Sequence, residues 1–152
     1  MGYRVKGEDL PTAPLDVIFD KESFLPVFTQ DLVTAKKEIL IVSPFVRKMR
    51  TTQMLTYLGA ARRKQIRVAV ITRPLSDFNL NETPPVRAIH KMISDQDIPL
   101  TFKPNIHQKF AVIDQKTVWY GSFNLMSFGS AKESIMRIKS TPITAALIKQ
   151  LG

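Results

Sequence analysis

Two stretches decide how this chain reads: Asn105-Ile106-His107-Gln108-Lys109-Phe110-Ala111-Val112-Ile113-Asp114 and, four residues on, Trp119-Tyr120-Gly121-Ser122-Phe123-Asn124. The first is predicted to be a strand over 108–113, and alternate residues of extended chain share a face. His107 and Lys109 therefore point together to one side, with Phe110 and Val112 on the other. A two-residue turn at Gln115 and Lys116, of the kind short hairpins favour, pairs Asp114 with Thr117. The same register sets Lys109 opposite Ser122 and His107 opposite Asn124. An imidazole, an ammonium, a hydroxyl and a carboxamide then converge on one face. Lysine and the donors of Ser and Asn suit the non-bridging oxygens of a phosphate. A neutral imidazole can attack phosphorus or pass a proton near neutral pH. No carboxylate pair joins this face, so the expectation is phosphoryl chemistry with no metal and no cofactor.

The arrangement His107-x-Lys109-x4-Asp114-x6-Gly121-Ser122-x-Asn124 resembles the HKD signature of the phospholipase D superfamily at every defined position. The resemblance implies that a motif histidine attacks phosphorus to give a phosphohistidine, while a second motif's histidine protonates the leaving oxygen. His107, Lys109 and Asn124 then have direct roles, with Ser122 in support. Asp114 is implied to be structural or electrostatic, and its place at the turn sets it off the His107 face. Glu133 is the candidate for the acidic residue that orients the imidazole. The superfamily normally uses two motifs and this chain carries one, since His90-Lys91-Met92 is no second copy. A symmetric homodimer with a shared site is the expectation. Relatives fused to helicase or restriction-type modules make a larger DNA-processing protein a further expectation.

Outward from the motif, apolar spacing predicts a helix over 22–37, with Asp20 and Ser23 as cap candidates. Short β-branched runs predict strands at 38–45 and 66–72, separated by a helix at 51–65. A loop at 73–85 leads to a helix at 86–94, on which His90 reads as a surface residue. Strands at 100–103, 108–113, 117–120 and 134–138 and a last helix at 143–151 complete an α/β fold with a mixed sheet. The resemblance implies a phospholipase D-like sheet with helices on both faces. Residues 1–18 read as an extended arm or linker, and 19–152 as one domain.

The 22 Lys and Arg against 13 Asp and Glu leave a formal charge of +9. That favours polyanionic partners, nucleic acid first and an anionic membrane surface second; of the nucleic acids, DNA is expected before RNA. Two basic groups are candidates for holding its backbone: Arg47, Lys48 and Arg50, just past a strand end, and Arg62, Arg63 and Lys64. Trp119 and Phe123 fall opposite Asn124 and read as core rather than as base-stacking residues. The chain has no Cys, hence no disulfide framework and no thiolate metal site. No apolar run approaches the roughly 20 residues of a membrane helix, and the N-terminus shows no secretory h-region, so a cytoplasmic location is expected. The reading is a metal-independent nuclease. Its rivals are a phospholipase or phosphatidyltransferase and a non-catalytic nucleic-acid-binding module.

Overall fold

The computed structural model describes residues 3–4, 17–129 and 132–152, so most of the arm expected over 1–18 lies outside the described residues. Eight strands form one sheet: β1 (Tyr3–Arg4), β2 (Val17–Phe19), β3 (Glu38–Val42), β4 (Arg67–Thr72), β5 (Leu100–Phe102), β6 (Phe110–Ile113), β7 (Thr117–Gly121) and β8 (Ile135–Lys139). Their order is β1-β2-β8-β7-β6-β3-β4-β5. β3, β4 and β5 run parallel, and every other pairing is antiparallel. The sheet is mixed, as expected; the two N-terminal strands were not foreseen.

Four helices cover it: α1 (Lys21–Thr34), α2 (Lys48–Arg63), α3 (Thr83–Ser94) and α4 (Thr141–Gln150). α1 begins where the cap candidates placed it. The Asp20 carboxylate accepts the N–H groups of Glu22 and Ser23 at 3.1 and 2.9 Å, and the Ser23 hydroxyl accepts the Asp20 N–H at 3.1 Å. Two otherwise unsatisfied donors of the first turn are thereby met. α3 starts three residues earlier than the periodicity suggests, because Pro84 and Pro85 occupy the first turn, where a missing N–H costs nothing.

The two faces of the sheet bury different sets. Ile39, Ile41, Val68, Val70, Ala111, Ile113 and Trp119 pack with α1–α3. Val42, Ile71, Phe110, Val112 and Val118 pack with Leu147 and Ile148 of α4 and with Leu151 just past its end. Helices therefore lie on both faces, and all four residues of the central β6 are buried. Trp119 and Phe123 are core residues, at 0% and 1% exposure. The Trp119 indole N–H donates to Asp31 at 2.7 Å, and Arg137 pairs with the same carboxylate at 2.7 Å, tying α1 to β7 and β8.

The hairpin register corrects the sequence reading. Ile113, not Asp114, faces Thr117, and Phe110 faces Tyr120. The connection has three residues, Asp114 to Lys116, with Asp114 and Gln115 in the left-handed region at φ 55° and 56°. The cause is tertiary. The Asp114 carboxylate accepts the backbone N–H groups of Lys36, Lys37 and Glu38 at 3.0, 2.7 and 3.0 Å, which takes it out of the ladder. The slip is one residue, so extension of the ladder would set Lys109 against Gly121 rather than Ser122. His107 and Lys109 precede β6 instead of belonging to it.

Candidate active site

Topology, not the hairpin ladder, brings the motif together. Val42, Phe110, Tyr120 and Met136 lie in one row across β3, β6, β7 and β8, with Ile71 of β4 beside Val42. Beyond that row emerge the segment after β3, Arg73 after β4, His107–Lys109 before β6, Ser122–Asn124 after β7 and Glu133–Ser134 before β8. Five chain segments thus meet at one edge. At the opposite end sit Asp114 and the start of β3.

Specific bonds fix this edge. The Arg47 N–H donates to the Met126 carbonyl at 2.8 Å, and the Met126 N–H donates to the buried Ser43 hydroxyl at 3.2 Å. These bonds fasten the loop after β7 to the loop after β3. Asn124 Oδ1 accepts the Phe45 N–H at 3.1 Å. A backbone N–H can only donate, so the contacting atom is the oxygen and the Asn124 amide nitrogen is the donor available to a ligand. The Ser122 hydroxyl bridges to Ser134, accepting its N–H at 3.2 Å and donating to its carbonyl at 3.3 Å. Ser122 therefore pins β7 to the start of β8. The Lys109 ammonium donates to the His107 carbonyl at 2.9 Å, curling the chain between them.

His107 itself is exposed. Its ring contact is a residue the sequence reading passed over: an Arg73 guanidinium nitrogen stands 3.0 Å from His107 Nδ1. Arg73 also donates through Nε to the Ile106 carbonyl at 2.8 Å and stacks over the Phe45 ring at 4.7 Å. His107, Arg73, Phe45 and Asn124 form one connected chain of contacts. The available signal was position, since Arg73 follows the end of a parallel strand, where α/β folds place ligand-binding groups. A lone Arg beside Pro74 gave no reason to choose it.

The sequence profile described as cardiolipin synthase, PLD-like domain, matches residues 28–152. The chain belongs to this phospholipase D-like family. Among solved structures, Nuc of Salmonella typhimurium, a phospholipase D family member, is 16% identical with a TM-score of 0.70, over 88% of each chain. NucT of Helicobacter pylori is 15% identical at 0.69, over 89% of this chain and 91% of its own. Phosphatidylserine synthase of Haemophilus influenzae is 14% identical at 0.60, over 90% of this chain and 38% of its own. At such identities the likeness is one of fold. No curated protein matches in sequence.

The remaining candidates divide by place in this phospholipase D-like domain. Glu133, Asn124, Arg47 and Arg50 line one cleft of 480 Å³. Glu133 and Ser122 line another, of 690 Å³. The hydrogen-bond partner at His107 Nδ1 is Arg73, not Glu133. Arg50 is anchored, donating to the Phe128 carbonyl at 3.1 Å and to Gln53 at 2.8 Å, while Arg47 and Lys48 are exposed beside it. Arg62, Arg63 and Lys64 lie at the far end of α2, whose 16 residues span about 24 Å. Arg62 is paired with Asp97 at 2.8 Å. Asp114 is held by the backbone of residues 36–38. Burial would raise its pKa, but the N–H groups of Glu38, Lys36 and Lys37 outweigh that, and the Lys116 charge adds to them, so the carboxyl titrates below the usual range.

His90 is not on the surface. It belongs to the inner stripe Val86, Ile89, His90, Ile93 of α3 and is 6% exposed. The ring packs on Phe102 at 4.9 Å, and burial lowers its pKa. The helical spacing of those four residues was the signal for burial. Among the described residues no three His, Cys, Asp or Glu side chains gather as a metal site, and no helix is long and apolar enough to cross a membrane.

Proposed function

We propose that this domain hydrolyses nucleic-acid phosphodiesters, DNA before RNA, through a covalent bond between His107 and phosphorus. The observation that supports it best is the linkage of His107 through Arg73 and Phe45 to Asn124 at the edge where Lys109 also emerges. In the reaction, an imidazole nitrogen of His107 forms the N–P bond while the P–O bond to the leaving oxygen breaks. Lys109 and the Asn124 amide hold the non-bridging oxygens, whose charge grows in the transition state. Water then attacks the phosphohistidine and releases the histidine. A proton must reach the leaving oxygen, and the second imidazole comes from another copy of the chain, since this one carries a single motif. The shared site is therefore a homodimer's. Glu133 stands at the wall of the cleft that Asn124 lines, and in the dimer it supports the protonated ring.

Nucleic acid is preferred to lipid on charge. The chain carries +9; the exposed Arg47 lines the 480 Å³ Asn124 cleft, and Arg47 and the exposed Lys48 both line a neighbouring cleft of 1090 Å³ that Asn124 shares. The test is incubation of purified protein with labelled single- and double-stranded DNA, RNA and phospholipid vesicles in EDTA. Cleavage of DNA that His107→Ala abolishes is expected. Products from lipid alone would move the assignment to phospholipid chemistry, and loss of activity on chelation with recovery in magnesium would exclude the histidine route. Dimers mixed from wild type and His107→Ala should be nearly dead, because a missing proton donor alone removes about 10²–10⁴-fold.

A further inference from the structure

We propose that Arg73 is a latch on His107, holding the ring with its proton on Nε2 until a phosphate draws the guanidinium away. The inference rests on the phosphodiesterase reading above and adds how the site is kept idle. A guanidinium carries only donors. With its nitrogen 3.0 Å from Nδ1, that ring atom must present its lone pair, and the proton of the neutral imidazole sits on Nε2. A ring in this state is inert twice over. Nε2 has no lone pair to attack phosphorus, and giving up its only proton would leave an imidazolate, so it is no acid either.

Arg73 is held firmly enough to do this and loosely enough to let go. Its side chain is 11% exposed and is braced by the Ile106 carbonyl and the Phe45 ring. Its nearest carboxylate, Asp77, is 4.0 Å from Nε and already accepts the Asn105 N–H at 2.7 Å. The nitrogen on His107 is on a different arm of the guanidinium and meets a neutral acceptor. A phosphodiester carries a full charge and two oxygens in the geometry of the guanidinium fork, so it competes with advantage. Its place is close by, because the Phe45 ring under Arg73 belongs to the residue whose N–H binds Asn124. On release, Nδ1 takes a proton from solvent and Nε2 gives one up, leaving the Nε2 lone pair free to attack. The guanidinium stays on the phosphate as a further ligand.

The chain has two histidines, which makes the test direct. Protein labelled with ¹⁵N at histidine is followed by long-range ¹H–¹⁵N correlation, with His107→Gln assigning the signals. The free protein should show His107 as the Nε2–H tautomer, and saturating inorganic phosphate should move it to Nδ1–H or to a mixture. Arg73→Met should show that mixture without phosphate and bind phosphate more weakly. Arg73→Lys keeps a charge but not the fork, and should recover phosphate binding only in part. A free protein already protonated on Nδ1, or a tautomer unmoved by phosphate, overturns the latch. Both results come from the wild type, so the latch stands or falls even where an Arg73 variant is unstable. Neither depends on DNA cleavage: a tautomer that responds to phosphate in a protein that cuts no nucleic acid would keep the latch and refute the substrate.

Discussion

Asp114 is the motif residue whose role is most sharply separable, because its carboxylate is bonded at the end of β6 remote from the chemistry. The four residues of β6, about 13 Å of extended chain, lie between Asp114 and the His107–Lys109 segment. Replacing Asp114 should therefore cost stability and leave the chemical step alone. The magnitude follows from its partners. Three backbone N–H groups donate to one carboxylate, and a charged hydrogen bond contributes about 1.5–3 kcal/mol when shielded. Lys36 and Lys37 are exposed and only Glu38 is partly shielded, so water replaces much of the first two and the sum is about 2–3 kcal/mol. Alanine adds roughly 1 kcal/mol of strain at φ 55°. Asp114→Ala should thus lose about 3–4 kcal/mol, or roughly 6–15 °C in Tm for a chain of this size. Asp114→Asn keeps one acceptor and tolerates the left-handed backbone, and should lose about half as much. The pH dependence has a definite sign. The folded carboxyl titrates below its unfolded value of about 3.9, so its contribution is complete above that pH and vanishes as pH falls through the folded value. The gap between wild type and Asp114→Asn should be flat near neutrality and close in acid. Urea denaturation from pH 7 down to pH 2, with turnover measured well below each Tm, reads both quantities. An Asp114→Asn protein of wild-type stability but with turnover lost would refute the structural role.

Gly121→Ala should destabilise by roughly 1–3 kcal/mol on thermal denaturation, since a Cβ there would meet the Ser134 carbonyl at 2.4 Å and Ile135 Cα at 2.6 Å, both backbone atoms. Asp31→Ala should lose roughly 1–3 kcal/mol by the same measurement, because it removes the acceptor that Arg137, 8% exposed, and the Trp119 indole share. Salt titration of DNA binding should give a steep slope from counterion release. Alanine at Arg47, Lys48 and Arg50 should flatten it, whereas alanine at Arg62, Arg63 and Lys64, a helix length away, should change it little; the reverse order would move the binding track to the far end of α2.

The sequence by itself determined the family signature, the α/β alternation, the strands and helices to within a few residues, and the burial of Trp119 and Phe123. These are local matters: periodicity, caps such as Asp20 with Ser23, and residue types at fixed spacing in one short segment. The hairpin register escaped it because the turn length is set by Asp114 reaching the backbone of residues 36–38, over seventy positions away in the chain. His90 escaped for a different reason: its spacing with Val86, Ile89 and Ile93 marked the inner stripe, but a titratable side chain reads as a surface residue, and the tertiary structure adds the Phe102 ring that packs against it. The meeting of five segments at one edge was decided by strand order, which nothing in the local pattern specifies. Arg73 belongs to that class. Its contact with His107 joins the end of β4 to the approach to β6, strands separated in the sheet by β3, and only the assembled sheet brings a guanidinium to the one nitrogen that controls where the histidine keeps its proton.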